Sequence, residues 1–273
     1  MSFKSLSALT ALLFTSFVIA NDLEIITVSA TPIKASDAGS AISTISKEDI
    51  QGRNAVTLHG LFRGIPGFAV SQQGSVGSVG QLRVRGAEAN QVLVMLNGIE
   101  LNDPAQGSEF DLSQMSTSDI ERIEIVRGPQ SALWGSDAMA GVINIITSPQ
   151  EDLDAFSIGL FGGSFATSRQ VLSANKSLQN GTIKISADRL ESNGTNISRE
   201  GDEDDGLENL TLGVTGDYSA TETLNLSYTA RFTDKKSEFD DTDYISSGLP
   251  VDADFWTKSR YFYSGVSVEH EMN

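Results

Sequence analysis

Two acidic segments in the second half of the chain carry the side chains best suited to chemistry. The first runs from Glu200 to Asp205 and the second from Glu238 to Asp243, with Asp252 and Asp254 close behind. Carboxylate oxygens at this density can hold Ca²⁺, which takes about six to eight oxygen ligands. Acidic runs are also common as solvated loops, so the composition leaves both interpretations open.

The overall composition argues against several other kinds of site. The 273 residues carry 19 Lys and Arg against 36 Asp and Glu, a net charge of -17, which argues against nucleic acid as a partner. The absence of cysteine excludes disulfides, thiolate metal sites and a cysteine nucleophile. The two histidines, His59 and His270, are too far apart in sequence for a histidine-rich metal site. No motif places a nucleophile beside a base, so we do not expect an enzyme.

The start of the chain has the pattern of a secretory signal. Lys4 precedes an apolar stretch from Leu6 to Ile19, and the small residue Ala20 ends it. This stretch is too short for an ordinary transmembrane helix. We therefore expect residues 1–20 to be a signal peptide and the exported chain to begin near Asn21.

A short extended tail follows over residues 21–37. Its apolar part comprises Glu24, Ile25, Ile26, Thr27, Val28, Ser29 and Ala30. These residue types favour a strand, and Thr31-Pro32 then interrupts regular structure. An apolar strand at a terminus can add to the sheet edge of another protein; a first strand of the next domain is the other interpretation.

Residues 38–148 predict an α+β domain. Ser46 can cap a short helix with Asp49 at capping-box spacing, and apolar residues repeat at helical spacing over 58–65. Asn97-Gly98 between two apolar segments is a strong hairpin signal. Apolar segments at 120–126 and 142–146 predict further strands.

Residues 149–273 predict a different, all-β region. Six strands are expected at 155–161, 170–177, 182–190, 207–218, 223–233 and 259–269, with the acidic segments in the long connections between them. Apolar and polar side chains alternate along these strands, as they do in a soluble sandwich and in an outer-membrane barrel. Strands of about ten residues with aromatic ends and alternately short and long connections favour the barrel, whose apolar face meets lipid.

These segments together resemble the TonB-dependent outer-membrane receptors of Gram-negative bacteria, and within them the cobalamin receptors. Glu24–Ala30 is similar to the family's TonB box, and Ile65–Phe68 to the helix-to-strand signature of its plug. Val84–Gly86 and Val92–Ile99 match its central strand pair. Ile120–Thr147 is similar to the family's most recognisable plug segment.

The resemblance implies an α+β plug domain over residues 38–148, lodged in an antiparallel transmembrane β-barrel of about 22 strands when complete. Residues 149–273 would form the first strands of that barrel in outer-membrane lipid. Six strands cannot enclose such a plug, so we expect an N-terminal part of a longer receptor or the product of a truncated gene. The TonB box, residues 24–30, would pair with a TonB-type energy-transducing protein.

The resemblance also implies where substrate and metal bind. Two plug loops would face the substrate, through Gln72, Gln73, Ser75, Asn102, Asp103 and Gln106. Their amides and hydroxyls suit a large neutral or zwitterionic ligand such as cobalamin, with a siderophore or haem as the alternative. No cofactor is required for transport, but the outer loops of cobalamin receptors bind Ca²⁺. The corresponding ligands here are Asn196, Glu203, Asp205, Asp240 and Asp252, of which Asn196 and Glu203 stand where the family has aspartate.

The arginines of the plug segment give a further expectation. Arg83, Arg85, Arg122 and Arg127 lie among the plug strands, where they are expected to pair with barrel carboxylates or to remain ordinary surface charge.

Two other function classes fit the sequence less well. A passive porin has no use for a plug or a TonB box. A secreted calcium-binding adhesin would need repeats, which the sequence lacks.

Overall fold

A computed structural model describes residues 25–26, 33–34, 41–148, 154–199 and 201–270. The expected signal peptide, residues 1–20, and most of the TonB-box-like segment, Glu24 and Thr27–Ala30, lie outside these described residues. Within the described ranges, no helix is long and apolar enough to span a membrane.

The first part of the chain forms short strands and helices. In chain order they are β1 (Ile25–Ile26), β2 (Ile33–Lys34), β3 (Ala41–Ser46), α1 (Lys47–Gly52), α2 (Leu58–Phe62), β4 (Phe68–Gln72), β5 (Gly80–Val84), β6 (Val92–Leu96), β7 (Ile99–Glu100), β8 (Arg122–Arg127), α3 (Ser131–Trp134) and β9 (Gly141–Ile146). Residues 41–148 of this part are called the α+β domain below.

Local sequence signals explain how two of these elements begin and turn. The backbone N–H of Asp49 donates to Ser46 Oγ at 3.2 Å, and the backbone N–H of Ser46 donates to Asp49 Oδ2 at 3.3 Å. This capping box starts α1 as predicted. Asn97 and Gly98 both adopt positive φ, 48° and 85°, as a two-residue hairpin turn requires. The turn joins β6 to β7, so the predicted hairpin is confirmed.

The α+β domain is built around a five-stranded sheet in the order β3-β8-β9-β6-β7. The β6–β9 pair is parallel and the other pairs are antiparallel. Leu58, Leu61 and Phe62 of α2 are fully buried against this sheet, which accounts for their helical spacing. The α+β domain therefore has a hydrophobic core of its own.

The second part of the chain forms one antiparallel sheet, called the wall sheet. Its strands are β10 (Ala155–Gly162), β11 (Ser168–Leu178), β12 (Gly181–Ser192), β13 (Leu207–Ser219), β14 (Leu224–Thr242) and β15 (Pro250–His270), paired in chain order. The six predicted strands are confirmed, but β14 and β15 are longer than expected, at 19 and 21 residues. Their pairing continues to Thr242↔Pro250, so Asp240 lies on a strand, where the sequence predicted a connection. Cross-strand pairing in this long hairpin overrides the low strand propensity of acidic residues.

The two faces of the wall sheet have inverted polarity. Arg231, Thr233 and Lys235 of β14 are buried, and the α+β domain covers their face. Phe262 and Val266 of β15 are 69% and 73% exposed. A soluble sheet buries its apolar face, whereas a barrel wall turns it outward. The alternation predicted from the sequence is therefore confirmed with the orientation of a barrel wall.

Candidate functional site

Three carboxylates converge at one end of the wall sheet. One oxygen each from Glu203, Asp205 and Asp240 lies within 4.8 Å of the others. Glu203 and Asp205 belong to the segment before β13, and Asp240 is near the end of β14. Asp205 is 1% exposed. These three residues are called the acidic centre.

The acidic centre is electrostatically unfavourable without a partner. Both carboxylate oxygens of Asp205 and Oε1 of Glu203 are buried without a hydrogen bond. Burial, followed by repulsion from Asp205, raises the pKa of the Glu203 carboxyl to about 7. Burial, followed by repulsion from Asp240, raises the pKa of the Asp205 carboxyl to about 6. A bound proton or cation would relieve this repulsion.

The structure places the other two expected metal ligands beside the acidic centre. The Asn196 amide Nδ2 donates to Asp252 Oδ1 at 3.2 Å. The backbone N–H of Ser198 donates to both Asn196 Oδ1, at 2.6 Å, and Asp240 Oδ2, at 3.0 Å. All five candidates therefore lie in one group, with Asn196 and Asp252 at its rim.

Two further carboxylates, which the sequence did not single out, accept backbone N–H groups beside this group of residues. Asp204 Oδ1 accepts the backbone N–H of Asn196 at 3.3 Å, and Glu238 Oε2 accepts that of Gly206 at 3.2 Å. Both residues belong to the acidic runs that the sequence displays. Their position in a run does not reveal which carboxylates bind the backbone.

The expectation that Ser75 and Asn102 face the substrate does not fit the structure. Ser75 is 6% exposed, and its Oγ accepts the backbone N–H of Thr195 at 3.0 Å. Asn102 is also 6% exposed, and its amide bonds the backbone of β6 through Val94 N–H at 2.8 Å and the Val92 carbonyl at 3.0 Å. Both side chains have structural partners because each ties a loop to a neighbouring element.

The remaining candidates of the two loops are more accessible. Gln73 and Gln106 are exposed. Asp103 Oδ2 accepts the amide of Gln106 at 2.9 Å. The Gln72 amide donates to the Ser75 carbonyl at 2.7 Å. Within the described residues, Gln73, Asp103 and Gln106 are therefore the candidates from the sequence best placed to meet a ligand.

The α+β domain is attached to the wall sheet by buried ion pairs. Arg231 Nη1 lies 2.6 Å from Asp119 Oδ2, and Lys235 Nζ lies 3.1 Å from Asp111 Oδ2. Lys184 pairs with a third carboxylate, that of Glu121. In each pair the wall sheet supplies the cation and the α+β domain supplies the anion.

Of the two interpretations of the plug arginines, pairing with wall carboxylates is not found within the described residues. Arg83 pairs with Glu88, Arg122 pairs with Glu124, and Arg127 donates to Ser43 Oγ at 2.8 Å, all within the α+β domain. These arginines serve the internal strands and turns of the domain. The wall cations had a signal of their own, because Arg231 and Lys235 lie on the polar face of β14, with Thr233 between them.

Comparison with known proteins places the α+β domain in a family. Residues 34–142 match the TonB-dependent receptor plug domain. The chain is 30% identical over 225 residues to the vitamin B12 transporter BtuB of Vibrio vulnificus strain CMCP6. That match covers 81% of this chain but 36% of the relative.

The match to solved structures extends from the α+β domain into the strands of the wall sheet. The ferric yersiniabactin uptake receptor FyuA of Yersinia pestis matches with a TM-score of 0.70 and 16% identity, over 88% of this chain and 39% of that one. A variant of the ferric enterobactin receptor PfeA of Pseudomonas aeruginosa, in complex with enterobactin, matches with a TM-score of 0.62 and 20% identity, over 85% of this chain and 39% of that one. The wall sheet of this chain is open within the described residues, at β10 and β15. The chain therefore carries the plug domain of TonB-dependent receptors over residues 34–142, followed by antiparallel strands that resemble the start of their barrel.

Proposed function

We propose that this chain belongs to a receptor for TonB-energised uptake of cobalamin across the outer membrane of a Gram-negative bacterium. The acidic centre is the observation that carries the choice of substrate, because the resemblance to cobalamin receptors implies a cation site there. The 30% identity to the Vibrio transporter supports the same substrate. A ferric siderophore or haem is the second candidate, because the solved relatives named above are siderophore receptors; at 16% and 20% identity they establish the fold alone.

The inverted polarity of the wall sheet supports the membrane location. Phe156, Ile158 and Leu160 of β10 alternate with polar or small residues and are each more than half exposed. Exposed apolar side chains on this scale are stable in lipid and costly in water. Residues 1–20 would direct export before this wall enters the outer membrane.

The acidic centre fits a calcium ion. Its unpartnered oxygens are hard ligands of the kind that Ca²⁺ prefers. Glu203, Asp205 and Asp240 would hold the ion, with Asn196 and Asp252 available at the rim. Bound calcium would supply positive charge that neutralises the carboxylates and fixes the segment before β13 against β14. It takes no part in a reaction.

The TonB box, residues 24–30, is proposed as the attachment point for the energy-transducing partner. Ile25 pairs with Lys34 and Ile26 with Ile33 in a short antiparallel ladder. This pairing supports the proposal because it is the backbone geometry that strand addition uses. A partner strand bound there would transmit force to the plug through the main chain.

The substitution Ile26→Pro tests this function. Ile26→Pro removes a main-chain N–H donor and weakens strand pairing, whereas the matched control Ile26→Ala keeps the donor. In cells that lack their own cobalamin receptor and make the full-length receptor containing this chain, we expect Ile26→Pro to abolish uptake of labelled cobalamin while binding to the cell surface is retained. Ile26→Ala should keep most of the uptake. Equal uptake by the two variants would contradict main-chain pairing, and failure of the unmodified protein to take up cobalamin would reject the substrate.

A further inference from the structure

An aromatic pair lies on the inner face of the β14–β15 hairpin. Phe239 pairs with Phe255 across the two strands, and their ring centroids are 6.0 Å apart with the ring planes tilted by 54°. Alternation along β14 places Phe239 on the same face as Lys235 and Ser237, which are both buried. The pair therefore faces the side of the wall sheet that the plug occupies, opposite to the side that would meet lipid.

The plug reaches the wall one step below this aromatic pair. A Cβ atom on Gly77, in the plug loop at residues 72–80, would lie 2.9 Å from Cβ of Ser237. Phe239 is the next residue of β14 on the inner face, toward the end of the sheet that carries the acidic centre. The proposed function makes this the outer end. The aromatic pair is thus placed just above the contact between the plug loop and the wall.

The aromatic pair is open on this side. Phe255 is 49% exposed, and Phe239 is partly buried. The plug loop below also has two exposed side chains, Gln73 and the 52% exposed Val79. Ligand sites combine apolar and aromatic walls with a few polar groups. An open aromatic pair above an exposed amide and an exposed valine has this composition.

The strand pairing is irregular directly beyond the aromatic pair. The register of β14 and β15 shifts between Phe239 and Asp241. The backbone N–H of Ala253 donates to Asp240 Oδ1 at 3.2 Å across this irregularity, which fixes the segment that leads into Phe255 against β14. Irregularities of a β-ladder re-aim side chains and are over-represented beside functional sites.

We propose that Phe239 and Phe255 bind the substrate through one face of a flat conjugated ring. The inference rests on the proposed function and names the part of the substrate that the wall recognises. In cobalamin this part is the corrin ring or the base of its nucleotide. Such rings pack on aromatic side chains in offset or edge-to-face arrangements, and the amide of Gln73 is available for polar groups at the edge of the ring.

Substitution of Phe255 tests this contact in the full-length receptor containing this chain, in detergent. Phe255→Leu keeps an apolar side chain and removes the aromatic face, so we expect the affinity for cyanocobalamin to fall about threefold to tenfold. Phe262→Leu is the matched control, because Phe262 lies on the same strand but is 69% exposed on the outer face. It should leave the affinity unchanged. An unchanged affinity in Phe255→Leu would overturn the proposal.

Hydroxyl-radical labelling of the unmodified receptor tests the contact without a substitution. Bound cobalamin should protect Phe255 from labelling and leave Phe262 as reactive as before. Calcium binding, measured by competition with terbium luminescence, separates a direct contact from damage to the acidic centre. Phe255→Leu should bind calcium as tightly as the unmodified receptor. A loss of calcium affinity in this variant would make Phe255 a support of the acidic centre and would overturn its role as a substrate contact.

The labelling experiment also separates this inference from the proposed function. If cobalamin binds but leaves Phe255 fully reactive, the aromatic contact is wrong and the proposed function stands. If haem or a ferric catecholate siderophore protects Phe255 and cobalamin does not bind, the aromatic contact stands and cobalamin is rejected as the substrate. If none of the three binds, the proposed function and the aromatic contact are rejected together.

Discussion

The buried pair between Asp119 of the plug and Arg231 of the wall gives a sharp test of how the plug is held. Asp119→Asn removes the charge that faces the guanidinium at 2.6 Å. Arg231 is 3% exposed, and its Nε and Nη2 have no hydrogen-bond partner. The substitution therefore leaves a buried cation whose compensating charge is lost.

The expected cost follows from this burial. Removing one partner of a buried ion pair destabilises a protein by about 3–5 kcal/mol, whereas replacing both partners by apolar residues is often neutral or stabilising. We therefore expect Asp119→Asn to weaken the plug by about that amount. Asp119→Leu combined with Arg231→Met should recover most of the loss.

Urea unfolding in detergent measures the effect. Trp134 reports on the plug once Trp256, the other tryptophan, is replaced by Phe. With the usual urea dependence of about 1–3 kcal/mol per molar, the midpoint should fall by roughly 1 M or more in Asp119→Asn. Asp154→Asn is the control, because its pair with Lys176 is exposed and its loss should leave the midpoint unchanged. An unchanged midpoint in Asp119→Asn, or a double variant less stable than the single one, would show that the buried pair does not hold the plug.

Three further predictions concern pH and close packing. Calcium affinity should fall as the pH is lowered from about 7.5 to 5, because protons compete at Glu203 and Asp205, whose pKa values are about 7 and 6; terbium competition across this range checks it. In calcium-free protein the same raised pKa values mean that the free energy of unfolding falls as the pH rises from about 4 to 7. Thermal unfolding in EDTA should show this fall, and thermal unfolding in calcium should show the opposite trend. Gly141→Ala would place a Cβ atom 2.5 Å from the Val126 carbonyl and should cost about 1–3 kcal/mol by overpacking between β8 and β9, measured by the same urea titration.

The pH dependence of the plug contact has the opposite sign. Burial opposes ionisation of Asp119, but Arg231 and Lys184 outweigh it and hold the pKa of Asp119 below its usual range. The stability from this pair is therefore present above the ordinary aspartate pKa of about 3.9 and is lost as the pH falls through the lowered value. Acid should release the plug only below the range in which calcium dissociates.

Local patterns in the sequence predicted much of the fold. Ser46 with Asp49 predicted the start of α1, and Asn97-Gly98 predicted the β6–β7 turn, because each signal depends on neighbouring residues alone. The alternation along β14 predicted the strand and its two faces. The long extension of β14 and β15 escaped prediction because pairing with a partner strand, rather than propensity, maintains it.

The contacts between plug and wall could not be read from the sequence. The bond between Ser75 and Thr195 joins residues 120 positions apart, and its donor is a backbone group that carries no side-chain signature. Pairing of plug arginines with wall carboxylates, one of the two interpretations of the sequence, is not found for Arg83 and Arg122 because they have carboxylates of their own nearby in the chain. Alternation identifies the buried face of a strand but not which charges it meets.

Cobalamin binding with and without calcium decides whether this receptor recognises cobalamin and whether the acidic centre supports that recognition. The intact protein in detergent is titrated with cyanocobalamin, with a ferric siderophore and haem as competitors, in calcium or EDTA. We expect saturable cobalamin binding that weakens at least tenfold when calcium is removed, as for coupled sites. Asp205→Asn should weaken cobalamin binding to a similar extent in calcium. Tight binding of the siderophore or haem in place of cobalamin, unaffected by EDTA, would contradict cobalamin as the substrate.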